Sequence, residues 1–367
     1  MRLQGTETAG EPAAAHSCPG LVELASGIDA LYLSGHGDVP PALLEDLEAS
    51  RVRAEGSSDP QRFSLGDLDL IVQPRGWGKY RYSLEHEHAR FGLTSSAELP
   101  PLRVQPRSEF LHAVGSDGAL AWVFEALDPV IEGLHLSASR LDLYADWQGW
   151  SLTADDRSRF VCRARRLDTH EEGEAFTGVE FGRRKTGTVT ARIYDKTRQV
   201  EDKGLDWWAG VWGPRYDGRS RVLRVEFELG RQGLRQFGVQ SATEAVMSAP
   251  GIWKALTADW LSYRDPSADQ TRARWPVAAE WLLVSRAQFA ADALGLQRIR
   301  EGKQAGSLRK LMPFLVGSLS SFGALVGAED VEDTLAALPG HLYDYGLVSK
   351  TSFSKRVERK AVPVSAA

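Results

Sequence analysis

The sequence predicts an α+β protein, with a largely antiparallel sheet flanked by helices and then a mainly helical C-terminal region. Three observations predict it. Several stretches before residue 240 alternate apolar and polar residues with the two-residue period of half-buried strands. After residue 240 the apolar residues return at helical spacing instead. A composition of 43% hydrophobic and 25% charged residues over 367 positions is that of a folded chain large enough for two or three packed domains, and it excludes fibrous or wholly disordered classes.

Taken in order, residues 1–26 read as a disordered N-terminus. Residues 27–34 (GIDALYLS) and 67–73 (DLDLIVQ) alternate as strands, with a short helical pattern over 40–54 between them. Residues 80–93 read as one strand with a bend, and 119–131 as a helix ending near Gly133. A strand over 134–147 precedes a predicted helix over 151–168, with Ser151 as its cap and Asp155 and Asp156 in its early turns. Strands follow over 175–182 and 188–194, joined by a basic turn, and another over 221–229 after a Trp-rich loop. Helical patterns then cover 232–237, 241–263, 277–301, 307–326 and 329–338. The domain boundary is placed after residue 240, giving an α+β unit over 27–240 and a helical region over 241–367.

Charge narrows the function classes. The net formal charge of −5 weighs against a polyanion-coating protein. By region, however, residues 1–130 hold 10 Lys/Arg against 19 Asp/Glu, whereas 131–240 hold 19 against 17. Basic residues bunch in that middle third, including Arg183, Arg184 and Lys185; a solvated turn is the plainer reading of such a cluster. The two cysteines, Cys18 and Cys162, form neither a disulfide framework nor a zinc motif, which makes a reducing cytoplasm the default expectation. No signal peptide or membrane-spanning run is expected.

The two-residue period distributes chemistry across three strands. Arg140, Asp142, Tyr144 and Asp146 share one face, as do Arg192, Tyr194 and Lys196 in the second and Arg224, Glu226 and Glu228 in the third. The wet side of an antiparallel sheet alternates in this way as a rule. Here, though, each strand sets an Arg two residues before an acid or a tyrosine. Asp142, Glu226 and Glu228 around one point would suit Mg2+ or Mn2+, hard ions that take carboxylate oxygens. Arg192 and Lys196 beside Tyr194 would stabilise its phenolate and a phosphoryl transition state, the chemistry of phosphodiester transesterification. Packing is the plainer role of a strand tyrosine.

The strings RLDLYAD (140–146), TGVEFGRRKTGTVTARIYDKTRQVE (177–201) and LRVEFEL (223–229), in that order, resemble the replication initiation factor (Rep_trans) family of rolling-circle plasmid initiators and related relaxases of integrative conjugative elements. The resemblance covers roughly residues 27–240. It implies a DNA-nicking enzyme in which Tyr194 attacks one strand at an origin and retains the 5′-phosphate covalently, with Arg192 and Lys196 assisting. The matching strands carry Asp142, Glu226 and Glu228, which face periodicity makes the metal candidates, while local positive charge makes Arg183, Arg184, Lys185 and Arg224 the DNA-binding candidates. A homodimer and recruitment of a host helicase are further expectations of the resemblance. The Trp-rich loop over 204–220 departs from the family pattern.

Two other readings compete. His86-Glu-His88 has histidines on one strand face, as in a metal pair, but reads better as a surface strand with paired histidines. The chain would alternatively be a catalytically inactive DNA-binding or regulatory protein of a mobile element, acting through its basic tail over 350–360 and its helical region.

Overall fold

Alternation of apolar and polar side chains over 17 residues builds β1 (Val22–Asp38), whose burial switches at nearly every step. This computed structural model describes residues 20–173, 175–184, 188–289, 296–349, 352–355 and 357. After β1 come α1 (Pro41–Glu55), β2 (Gln61–Leu65), β3 (Leu68–Val72), β4 (Tyr82–Glu85), β5 (Ala89–Leu93), β6 (Leu102–Pro106) and α2 (Ser108–Leu127). The second long strand, β7 (Glu132–Gln148), leads to β8 (Phe160–Cys162), β9 (Leu167–Glu172), β10 (Ala175–Phe181) and β11 (Val189–Asp195). Then follow α3 (Lys196–Lys203), α4 (Trp208–Trp212), β12 (Val222–Gly230), α5 (Arg231–Gln236), α6 (Ala242–Met247) and α7 (Ala249–Ala255). The chain continues through β13 (Leu261–Tyr263), α8 (Ala279–Val284), α9 (Leu296–Val326) and α10 (Val331–Ser349).

Eleven strands form one antiparallel sheet in the order β2-β3-β4-β5-β6-β1-β7-β12-β11-β10-β9. β8 and β13 pair separately. Down the sheet centre, Leu31, Leu33, Leu141, Leu143, Phe227 and Leu229 are completely enclosed. Each such side chain contributes about 1.5–3 kcal/mol relative to exposure. Trp253 of α7 meets Phe227 with ring centroids 5.2 Å apart. Residues from α6, α7 and α8 belong to the same apolar core as the sheet, so packing continues past residue 240 as far as Val284.

Several elements differ from the sequence reading, each for a local reason. The strand opening the fold starts at Val22, so residues 22–26, expected to be disordered, are ladder residues; residues 1–19 lie outside the described part. No helix forms over 151–168. Thr153 and Asp156 cap a single 3-10 turn, and Phe160, Val161 and Cys162 are consecutive rather than spaced along a helical stripe. The segment 80–93 is a hairpin, not one bent strand. The pattern over 241–263 breaks into α6, α7, a π-turn and β13, with Pro250 restarting the chain at the head of α7. No single described helix is long and apolar enough to cross a membrane; the segments 311–326 and 331–347 reach that composition only together, bent by 82°.

Candidate active site

Strand register gathers the residues that the two-residue period placed on one face. Across β11 and β12, Arg192 lies opposite Glu226 and Tyr194 opposite Arg224. Across β12 and β7, Glu226 lies opposite Tyr144, Glu228 opposite Asp142 and Arg224 opposite Asp146. Gly178 of β10 lies opposite Tyr194, and a Cβ there would come within 2.7 Å of the Ile193 carbonyl and 2.9 Å of Tyr194 Cβ. A glycine is therefore what lets the tyrosine strand approach.

Tyr194 Oη donates a hydrogen bond to Glu226 Oε2 at 2.9 Å, and Arg192 pairs with the other carboxylate oxygen. Burial, and then the Glu226 charge, push the Tyr194 phenol well above its ordinary value. It ionises only if a base takes its proton or a cation arrives. The ring borders a cleft of about 300 Å³ that Arg192, Arg198, Gln199 and His170 also line.

Lys196 was expected on the strand face but instead heads α3, because Asp195 caps that helix by accepting the Arg198 amide at 3.1 Å. Its ammonium still turns inward. It donates to Gln199 Oε1 at 2.7 Å and lies 4.3 Å from the Trp208 ring centroid. Burial, followed by Arg224, lowers it to about 8.

Arg224, expected to bind DNA, is fully enclosed and has no path to a strand. It forks onto Asp146 at 2.6 and 2.8 Å, reaches Asp29 Oδ1 at 3.2 Å, and is packed between the Tyr144 and Trp208 rings. Arg183 and Arg184 are exposed near the β10–β11 turn, with Arg184 3.3 Å from Glu228; Lys185 lies outside the described residues. Among the described residues no three potential metal ligands converge. Glu226 faces Tyr194 and Arg192, while Arg140 bridges Asp142 (2.5 Å) and Glu228 (2.8 Å). His86 and His88 sit in the β4–β5 turn rather than on a strand, packed against Trp122 and Phe110.

Asp29, His112, Gln199 and Trp208 escaped the sequence reading. Asp29 reaches the site through an irregularity in the β1–β7 register between Ile28 and Ala30, which period counting cannot foresee. Burial pushes its carboxyl up, but Arg224, the His112 bond and Lys196 outweigh that and hold it well below the carboxylate range. Only the Lys-to-Gln spacing of three at the head of a helix pointed to Gln199.

Asp142 carries the opposite shift. Burial, then the Glu226 and Glu228 charges, outweigh the Arg140 bond and push it up to about 7. The folded state therefore binds the proton more tightly than the unfolded chain, and stability falls as pH rises from about 4 to about 7. Asp142→Asn is expected to remove this slope, raising stability at pH 8 by at most ~4 kcal/mol and by little below pH 4. Urea unfolding at both pH values checks it; equal effects at the two would refute the assignment.

No family model matches the chain. Over 240 residues it is 26% identical to the uncharacterized protein ORF430 of Pseudomonas phage Pf1, covering 52% of this chain and 54% of that protein. The chain thus spans about half the length of that relative. Among solved structures, a rolling circle replication initiator protein from Geobacillus stearothermophilus superposes with a TM-score of 0.46 at 14% identity, covering 74% of this chain and all of that one.

Proposed function

We propose that the protein nicks one strand of DNA at an origin by tyrosine transesterification, as a rolling-circle replication initiator or relaxase. The observation that carries this reading is the Tyr194 phenol donating to Glu226, with Arg192 on the same carboxylate, at the edge of an open cleft.

Glu226 takes the phenol proton as Tyr194 Oη attacks phosphorus. The bond from phosphorus to the 3′ oxygen breaks, leaving a 5′-phosphotyrosine and a 3′-hydroxyl that gains a proton from solvent or a nearby acid. Arg192 faces the charge that grows on the phosphoryl oxygens. Lys196, through Gln199, whose Oε1 is 3.5 Å from Tyr194 Oη, orients the phenol. Asp142 and Glu228, the acids favoured for Mg2+ or Mn2+, lie directly opposite each other, but Arg140 already bridges them and no third ligand converges among the described residues, so this donor set does not fit a divalent ion.

The test incubates the full chain with single-stranded origin DNA and Mg2+ or Mn2+ and looks for an adduct that survives denaturation. Wild type and Tyr144→Phe are expected to form it, because the Tyr144 hydroxyl is sealed beneath Trp208 and His112. Tyr194→Phe is expected to form none. No adduct with wild type would favour the catalytically inactive DNA-binding reading.

A further inference from the structure

The sheet face that carries Tyr194 continues across β7 and β1 to a second group of residues. Tyr32 of β1 lies opposite Arg140 of β7, and Ser34 opposite Arg103 of β6, so Tyr32, Arg103 and Arg140 share one side. Trp77, from the β3–β4 connection, folds back onto that side over Gly92 of β5. A Cβ at Gly92 would stand 3.1 Å from Trp77 Cε3, so a bare backbone is what leaves room for the indole. The Trp77 and Tyr32 rings are 6.4 Å apart. The Arg103 guanidinium lies 4.0 Å from the first ring centroid and 5.2 Å from the second, and Arg90 lies 4.7 Å from Trp77.

Among the described residues Arg103 makes no ion pair. Burial pushes its guanidinium down, with Arg90 and Arg140 adding to this and Tyr32 and Tyr80 opposing it. Arg231 adds to the positive field from its place on Ser34 Oγ at 2.8 Å. Arg90 has Glu85 at 3.1 Å and Arg140 has Asp142 and Glu228, whereas Arg103 and Arg231 make no ion pair among the described residues; half-buried cations of that kind beside rings fit a ligand that brings phosphates and flat bases together.

We propose that Trp77, Tyr32, Arg103 and Arg231 form a track for the single strand flanking the nick, its phosphates on the arginines and its bases against the rings. This rests on the nickase reading of Tyr194. Four strand spacings separate β6 from β11, about 19 Å, a distance that a few extended nucleotides cover. Bases stacked inside a duplex would not reach the rings, so the track selects single strands.

The test is fluorescence anisotropy of a labelled oligothymidylate with the full chain in EDTA. Trp77→Ala is expected to weaken binding roughly tenfold and Trp77→Phe to restore most of it. Arg103→Gln is expected to weaken binding and lower the salt slope by about one. Lys79→Glu, exposed in the same connection, is expected to weaken binding without disturbing packing, which guards against a folding artefact. Unchanged binding in all of these variants, or an equal loss for blunt duplex, overturns the track. If wild type forms the covalent adduct while the variants bind normally, the track fails and the nickase reading survives. If binding depends on Trp77 but wild type forms no adduct, the track stands and the nickase reading fails.

Discussion

Arg224→Ala is expected to destabilise the protein by about 3–5 kcal/mol, a large part of the ~5–15 kcal/mol that holds a typical domain folded. Arg224 is the only arginine among the fully enclosed large side chains of the described residues, and its removal leaves Asp146 and Asp29 with only Lys196 and the His112 bond to offset their charge. Trp212 Nε1, 2.8 Å from Asp146 Oδ2, keeps one donor in place but brings no charge. The double change Arg224→Met with Asp146→Asn is expected to recover much of the loss, because a buried ion pair adds little over neutral groups of similar volume. Urea unfolding of the single and double variants gives the coupling directly. A single-variant loss under ~1 kcal/mol would mean that water reaches the cluster.

Glu226→Gln is expected to slow adduct formation by about 10²–10⁴-fold in single-turnover assays at saturating protein. The amide keeps the shape of the carboxylate and still accepts from Tyr194, but it cannot take the proton. The buried phenol, already pushed well above its ordinary range, then has no local base. A loss under about threefold would remove Glu226 from the proton transfer and leave it as the partner of Arg192 alone.

Much of this site was legible in the sequence because strand periodicity is strict. Reading every second residue put Asp142, Tyr194, Arg192 and Glu226 on one face, and the register gathers them as that rule requires. The same rule does not report depth. Arg224 and Arg192 look alike in a strand pattern, yet the first is sealed by the tryptophan cluster of α4 and the second borders a cleft. Asp29 and Trp77 were hidden for other reasons, one lying at a register irregularity and the other in a connection that folds back onto the sheet. The region 151–168 misled because capping residues started a turn that no apolar stripe could continue.

The order of strands has a kinetic consequence. The chain lays down β2 to β6 beside β1 on one flank, and β9 to β12 beside β7 on the other, and the flanks meet along the β1–β7 pairing. Leu31 pairs there with Leu141, so this contact closes a long loop while most ladders within each flank join near neighbours in the chain. Each flank is therefore expected to acquire its hairpins early, with zipping of the central seam as the slow event. Because Trp77 and Arg103 lie on one flank and Tyr194 and Arg231 on the other, the two parts of the nucleic-acid face come into alignment only in that last step.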